Sequence, residues 1–71
     1  MGFRDMDLDD QVRATLRKDP ELSGYRIDVK VQNGIVYLQG QVSAHARSHA
    51  IEVAKTIETV AAVVDQMTIP A

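Results

Sequence analysis

Apolar residues recur along this chain with two different periods. Leu8, Val12 and Leu16 stand four apart with polar residues filling most of the positions between them, which predicts a helix from Asp7 to Lys18. Its ends agree with the pattern: Asp7 is suited to the N-cap, Asp9 and Asp10 sit near the positive end of the helix dipole, Arg13, Arg17 and Lys18 toward the negative end, and Pro20 stops it. From Tyr25 the period changes to two. Tyr25, Ile27, Val29 and Val31 alternate with Arg26, Asp28 and Lys30, the mark of a half-buried strand.

Asn33-Gly34 follows, the favoured pair for a two-residue type I′ hairpin, in which both central residues need positive φ. The turn predicts a register in which partner numbers sum to 67: Val31 with Val36, Val29 with Leu38, Ile27 with Gly40 and Tyr25 with Val42, all on one face. The other face carries Lys30 with Tyr37, Asp28 with Gln39 and Arg26 with Gln41, with Ile35 beside the turn. Gly40 falls where the alternation requires a core side chain. Ser43 is a natural N-cap for a second helix running to about Glu58, whose inner stripe of Ala46, Ala50, Val53, Ala54 and Ile57 begins with alanine. Gly40 is therefore expected to make room where this helix crosses the sheet. A third strand is predicted from Val63 to Ile69, with Met67 and Ile69 inward.

Helix, strand, strand, helix, strand builds an α+β two-layer sandwich, with both helices on one face of a three-stranded mixed sheet. A helix joins the second and third strands, so these run parallel if they are neighbours. Residues 7–69 make one domain, preceded by a flexible N-terminal arm over 1–6.

Composition narrows the picture further. A chain of 71 residues without Cys has neither a disulfide nor a Cys-based zinc site, and rests on its aliphatic packing for a net stability of roughly 3–5 kcal/mol. The net charge of −2, with acidic residues gathered in the first ten positions and no long basic run, argues against a strong electrostatic partner, whether nucleic acid or anionic lipid. No apolar run is long enough to span a bilayer.

Candidate chemistry is sparse. Ser23, Ser43 and Ser48 fall at a turn, a cap and a helix interior, and the glycines are spaced wrongly for a phosphate-binding loop, so an enzyme is not expected. His45 and His49, four apart on the second helix with Glu52 on nearly the same face, have the spacing of shared metal ligands. Lacking a catalytic HExxH arrangement and a supporting partner, they read as a solvated helix face, and no metal or other cofactor is expected. Arg13, Arg17 and Lys18 on the first helix, with Arg47 and Lys55 on the second, are candidates for anionic headgroups. Tyr37, with Ile35 and Val64, marks the outer sheet face as a candidate docking patch.

Several of these features together resemble a known family. They are the helix end Lys18-Asp19-Pro20-Glu21-Leu22, the alternation Ile27, Val29, Val31, the run from Asn33 to Ser43 with its NG-x-V-x-L-x-G-x-V core, then Arg47, Ala50, Ala54, Val60 and Val63. The pattern resembles the BON domain, named for bacterial osmotically inducible and nodulation-related proteins, over nearly the whole chain. One position departs from it, since Thr59 stands where the family usually has glycine before the valine matching Val60.

The resemblance implies a non-catalytic binding module, associated with phospholipid membranes, osmotic stress and envelope integrity. Its partner would be a phospholipid surface or another envelope protein, and its state a monomer or weak dimer. It would lie in the periplasm or cell envelope if the chain is a mature fragment, and in the cytoplasm if it is complete. Asn33, Gly34 and Gly40 match the motif and read as structural; Arg13, Arg17, Arg47 and Tyr37 are the candidate ligand contacts. The rival expectation is a protein-interaction or sensory accessory domain using the outer sheet face.

Overall fold

A computed structural model describes residues 3–70 in the order α1 (Phe3–Lys18), β1 (Asp28–Gln32), β2 (Ile35–Gln41), α2 (Ala44–Lys55) and β3 (Ala62–Thr68). The sheet order is β1-β2-β3, with β2 central, antiparallel to β1 and parallel to β3. Both helices pack on one face, giving the expected α+β two-layer arrangement with a mixed sheet.

The hairpin forms in the expected register, from Gln32 opposite Ile35 to Asp28 opposite Gln39. Asn33 and Gly34 have φ of 54° and 77°, the positive pair a type I′ turn demands. Alternation then buries Val29, Val36 and Leu38 against Leu8, Val12 and Leu16 of α1 and the alanine stripe Ala46, Ala50 and Ala54 of α2. Each fully buried Leu or Val stabilises by about 1.5–3 kcal/mol, so this cluster is the main cohesive force of the domain. Small residues let α2 lie close to its neighbours. Ser43 caps α2, its hydroxyl accepting from the Ala46 N–H at 3.1 Å.

Five expectations need correction. First, α1 begins at Phe3, so Asp7 lies inside the helix and is not its cap, and the expected arm is helical from Phe3 onward; Met1 and Gly2 lie outside the described residues. The anchor is Asp5, whose carboxylate accepts from the backbone N–H groups of Asn33 at 2.9 Å and Gly34 at 3.1 Å, tying the helix start to the hairpin turn.

Second, β1 starts only at Asp28, so the Tyr25–Val42 and Ile27–Gly40 ladder pairs do not form, and Tyr25 is 39% exposed. Third, Gly40 is not opened for α2. Its φ is +143°, and a Cβ there would stand 2.5 Å from the Arg26 carbonyl oxygen and 3.5 Å from the Ile27 Cα. The glycine is required by the backbone entering β1, which presses on β2 at this point.

Fourth, α2 ends at Lys55 and not near Glu58; the Thr56 N–H reaches the Glu52 and Val53 carbonyls at 3.2 Å and its hydroxyl the Val53 carbonyl at 2.6 Å, and the chain then turns to bury Ile57. Thr59 takes this exit without positive φ. Fifth, β3 stops at Thr68, beside the last residue of β2, so Ile69 has no neighbouring strand and is 46% exposed, while Met67 is buried as expected.

Candidate anion-binding groove

Arg13 and Arg17 lie one turn apart on α1, on the side that faces the chain entering β1. The segment between the helix and the strand is held by a tight turn, with the Leu22 and Ser23 N–H groups on the Asp19 carbonyl and the Tyr25 N–H on the Leu22 carbonyl, at 2.9–3.0 Å. Leu22, 2% exposed, pins this turn to the core. The result is a groove of about 250 Å³ whose floor is apolar, with Leu16, Leu22 and Ile27, and whose rim carries Arg13, Arg17, Arg26, Ser23 and Tyr25.

The three arginines are not equivalent. Arg13 pairs with Asp9 one turn back and donates from Nη2 to the Val29 carbonyl oxygen at 2.6 Å, so it braces α1 against β1. Arg17 and Arg26 have no carboxylate within ion-pair distance among the described residues. A guanidinium offers a planar fork of N–H donors that matches a phosphate, and a tyrosine at the same rim joins an apolar body to a polar tip. The groove thus has the donors and the charge to take an anionic group.

Arg47 is elsewhere and differently used. It reaches from α2 to Asp65 of β3 and pairs with that carboxylate, so it is a brace within the fold and not part of the groove. Burial works against ionised Asp65. The Met67 N–H at 2.9 Å, the Arg47 hydrogen bond and the Arg47 charge outweigh it and hold the carboxyl below its ordinary value. Tyr37 stands on the open face of the sheet, between Lys30 of β1 and Val64 of β3, on the side away from the helices.

On the near end of α2, His49 donates to Asp19 at 2.6 Å, and that bond, together with the charges of Asp19, Glu21 and Glu52, keeps the imidazole pKa above its ordinary value against some desolvation. Asp19 is held low: desolvation opposes this, but the His49 hydrogen bond, the Glu21 N–H and the His49 charge prevail. His49, its side chain 28% exposed, is therefore tied to the loop after α1, whereas His45, 76% exposed, stands on the solvated face expected of it while reaching Glu21.

The fold brings Arg13 and Arg17 together and separates Arg47 and Tyr37 from them. Ser23, Tyr25 and Arg26 complete the groove and were not expected there. Tyr25 and Arg26 carry the alternation of a strand, so the period gave no sign that the chain leaves the sheet before reaching them. A larger cavity of about 880 Å³ lies between the start of α1 and the hairpin turn, and its lining among the described residues carries Asp5 and Asp7 and no cation, which does not favour an anion there.

The site is a cation-lined surface groove on a two-layer α+β domain. The chain matches the family model of the BON domain over residues 4–71, and it belongs to that family, whose members are binding-type domains and not enzymes as a class. Among curated proteins none matches the chain.

Proposed function

We propose that this domain associates with phospholipid membranes by seating an anionic headgroup phosphate in the groove between α1 and β1. The observation that carries the reading is the convergence of Arg17 and Arg26, without carboxylate partners among the described residues, over the apolar floor beside Tyr25. In this reading the two guanidinium groups take the phosphate oxygens, Tyr25 rests at the level of the headgroups, and Arg13 positions the helix. Family membership supports it, and the domain's service would be in the envelope, under osmotic stress.

The attraction is local. With a formal net charge of −2 the chain as a whole is repelled by an anionic surface, so contact depends on the groove being presented to it. Each arginine near such a surface contributes about 1 kcal/mol, which makes the association weak, screened by salt and strengthened by a second copy or second anchor. Among the described residues no helix is long and apolar enough to cross a membrane.

The test is flotation of the 71-residue chain with vesicles of phosphatidylglycerol and phosphatidylcholine, or of phosphatidylcholine alone. Recovery with the anionic vesicles at low salt, lost at about 0.5 M salt where the screening length falls below about 5 Å, is the expected result. Absence of the protein from both vesicle fractions at low salt overturns the reading. A second reading, contact with another envelope protein, draws on the open sheet face, where Tyr37 and Val64 stand side by side among polar neighbours. It gains if the chain ignores vesicles and sediments with a concentration-dependent mass that Tyr37→Ala abolishes.

A further inference from the structure

His45 and His49 stand one turn apart on α2, with their rings 6.2 Å between centroids and tilted by only 6°. Both Nε2 atoms face the loop that follows α1. His49 Nε2 lies 2.6 Å from Asp19 Oδ2 and 3.2 Å from Glu21 Oε2, and His45 Nε2 lies 3.0 Å from Glu21 Oε1. Glu21 thus turns one oxygen to each imidazole. Ligand atoms of Asp19, Glu21 and His49 all fall within 4.8 Å of one another.

We propose that Asp19, Glu21 and His49, with His45 drawn in from beside Glu21 as the fourth ligand, form a binding site for a borderline divalent transition-metal ion, zinc above all. The donor set is two imidazoles and two carboxylates, which suits zinc and its neighbours and gives too few oxygens for calcium. Ligand atoms bound at about 2.0–2.2 Å around a tetrahedral zinc lie roughly 3.3–3.5 Å apart. The separations of 3.2 and 3.0 Å to Glu21 fall short of this by a few tenths of an ångström and the 2.6 Å between His49 and Asp19 by most of an ångström, so the ion enters as these two part and His45 moves in.

A purely hydrogen-bonded tie accounts for the cluster less well. His49 Nε2 carries at most one proton and faces two carboxylates, so it serves one of them poorly. A divalent ion in the place of that proton engages both. The loop is also prepared for it: the second oxygen of Asp19 accepts the Glu21 N–H at 2.9 Å, and the Leu22 and Ser23 N–H groups close on the Asp19 carbonyl, so the ligand carboxylate is oriented from behind. Because the cluster joins the loop to α2, a bound ion clamps together two segments that are far apart in sequence.

The experiment is a titration of the 71-residue chain with zinc alone, followed by imidazole NMR and by thermal melting, with magnesium as the comparison ion. Saturable shifts of both histidines at one zinc per chain, a raised melting temperature, and no response to magnesium at equal concentration are expected. His49→Ala and His45→Ala should each raise the half-saturating zinc concentration at least tenfold. Glu21→Gln, an exposed position whose amide spectrum reports directly that the fold is intact, should do the same. Absence of a saturable shift at millimolar zinc, or half-saturation unchanged in Glu21→Gln, overturns the proposal. Vesicle flotation plays no part in this readout, so the site stands or falls independently of the groove.

Discussion

Two flanks of this small domain carry arginines, and the fold treats them oppositely. Between α1 and β1, Arg13 is taken by Asp9 but Arg17 and Arg26 line the groove with no carboxylate within ion-pair distance among the described residues; between α2 and β3, Arg47 is matched by Asp65. In the sequence these residues are indistinguishable cations on helix or strand positions. What separates them is which distant carboxylate the fold sets beside each one. A cation with a partner stabilises the molecule, and a cation without one is left to act on something outside it. That is why the groove, and not α2, is the candidate site.

The contrast is broken most severely at Gly40, which packs against the backbone of Arg26. Gly40→Val adds strain at a φ of +143° and a collision with the Arg26 carbonyl, and should cost about 3 kcal/mol or more, close to the whole stability of a domain this size. Urea denaturation measures it. A midpoint equal to the parent's would mean that the chain entering β1 does not press on β2, and that Arg26 is placed by something else.

A smaller effect sharpens the other flank. Removing either partner of the Arg47–Asp65 pair should cost about 1 kcal/mol, read from the same denaturation midpoint. The pair also has a pH signature. Because the folded Asp65 carboxyl is held below its ordinary 3.8, the unfolded chain binds more protons on the acid side, so the contribution is full above that value and is lost as pH falls through the folded one. Asp65→Asn should therefore flatten part of the stability loss below about pH 4. An unchanged acid limb would contradict the pairing.

Smallest of all is the open face of the sheet. Tyr37→Ala removes no core contact on the helix side and should shift stability by no more than about 0.5–1 kcal/mol, with vesicle recovery unchanged. Loss of vesicle binding in this variant would move the site from the groove to the sheet.

What was legible in the sequence was local. Asn33-Gly34 and the alternation on either side of it are neighbours along the chain, so turn chemistry and period set the hairpin register without reference to anything distant. The four-residue spacing of Leu8, Val12 and Leu16 marks the buried face of α1 in the same way. The corrections arise where a remote segment decides. Asp5 reads as part of an acidic arm until the turn at Asn33, 28 residues away, supplies the N–H groups its carboxylate holds. Gly40 was conspicuous, but its neighbour is the Arg26 backbone and not the alanine face of α2.

The site followed the same division. Arg13 and Arg17 were legible as a pair because one helix carries both at a spacing of four. Arg26 and Tyr25 were hidden by a strand-like alternation that continues past the point where the ladder begins. Asp19 and Glu21 were hidden as partners of His49 because 30 and 28 residues separate them from it, and the nearer Glu52 drew the expectation instead.

The central claim is that Arg17 and Arg26 of the groove, which have no carboxylate partner among the described residues, and not the basic residues of the chain at large, hold the domain to an anionic bilayer. Partition onto phosphatidylglycerol-containing vesicles at low salt tests it most directly, with Arg17→Ala/Arg26→Ala compared against Arg47→Ala. Two arginines at about 1 kcal/mol each predict a roughly thirtyfold weaker partition for the double variant. Arg47→Ala, which removes a charge already matched by Asp65, should stay within about twofold of the parent. Equal weakening by both substitutions, or no weakening by the first, would contradict the account.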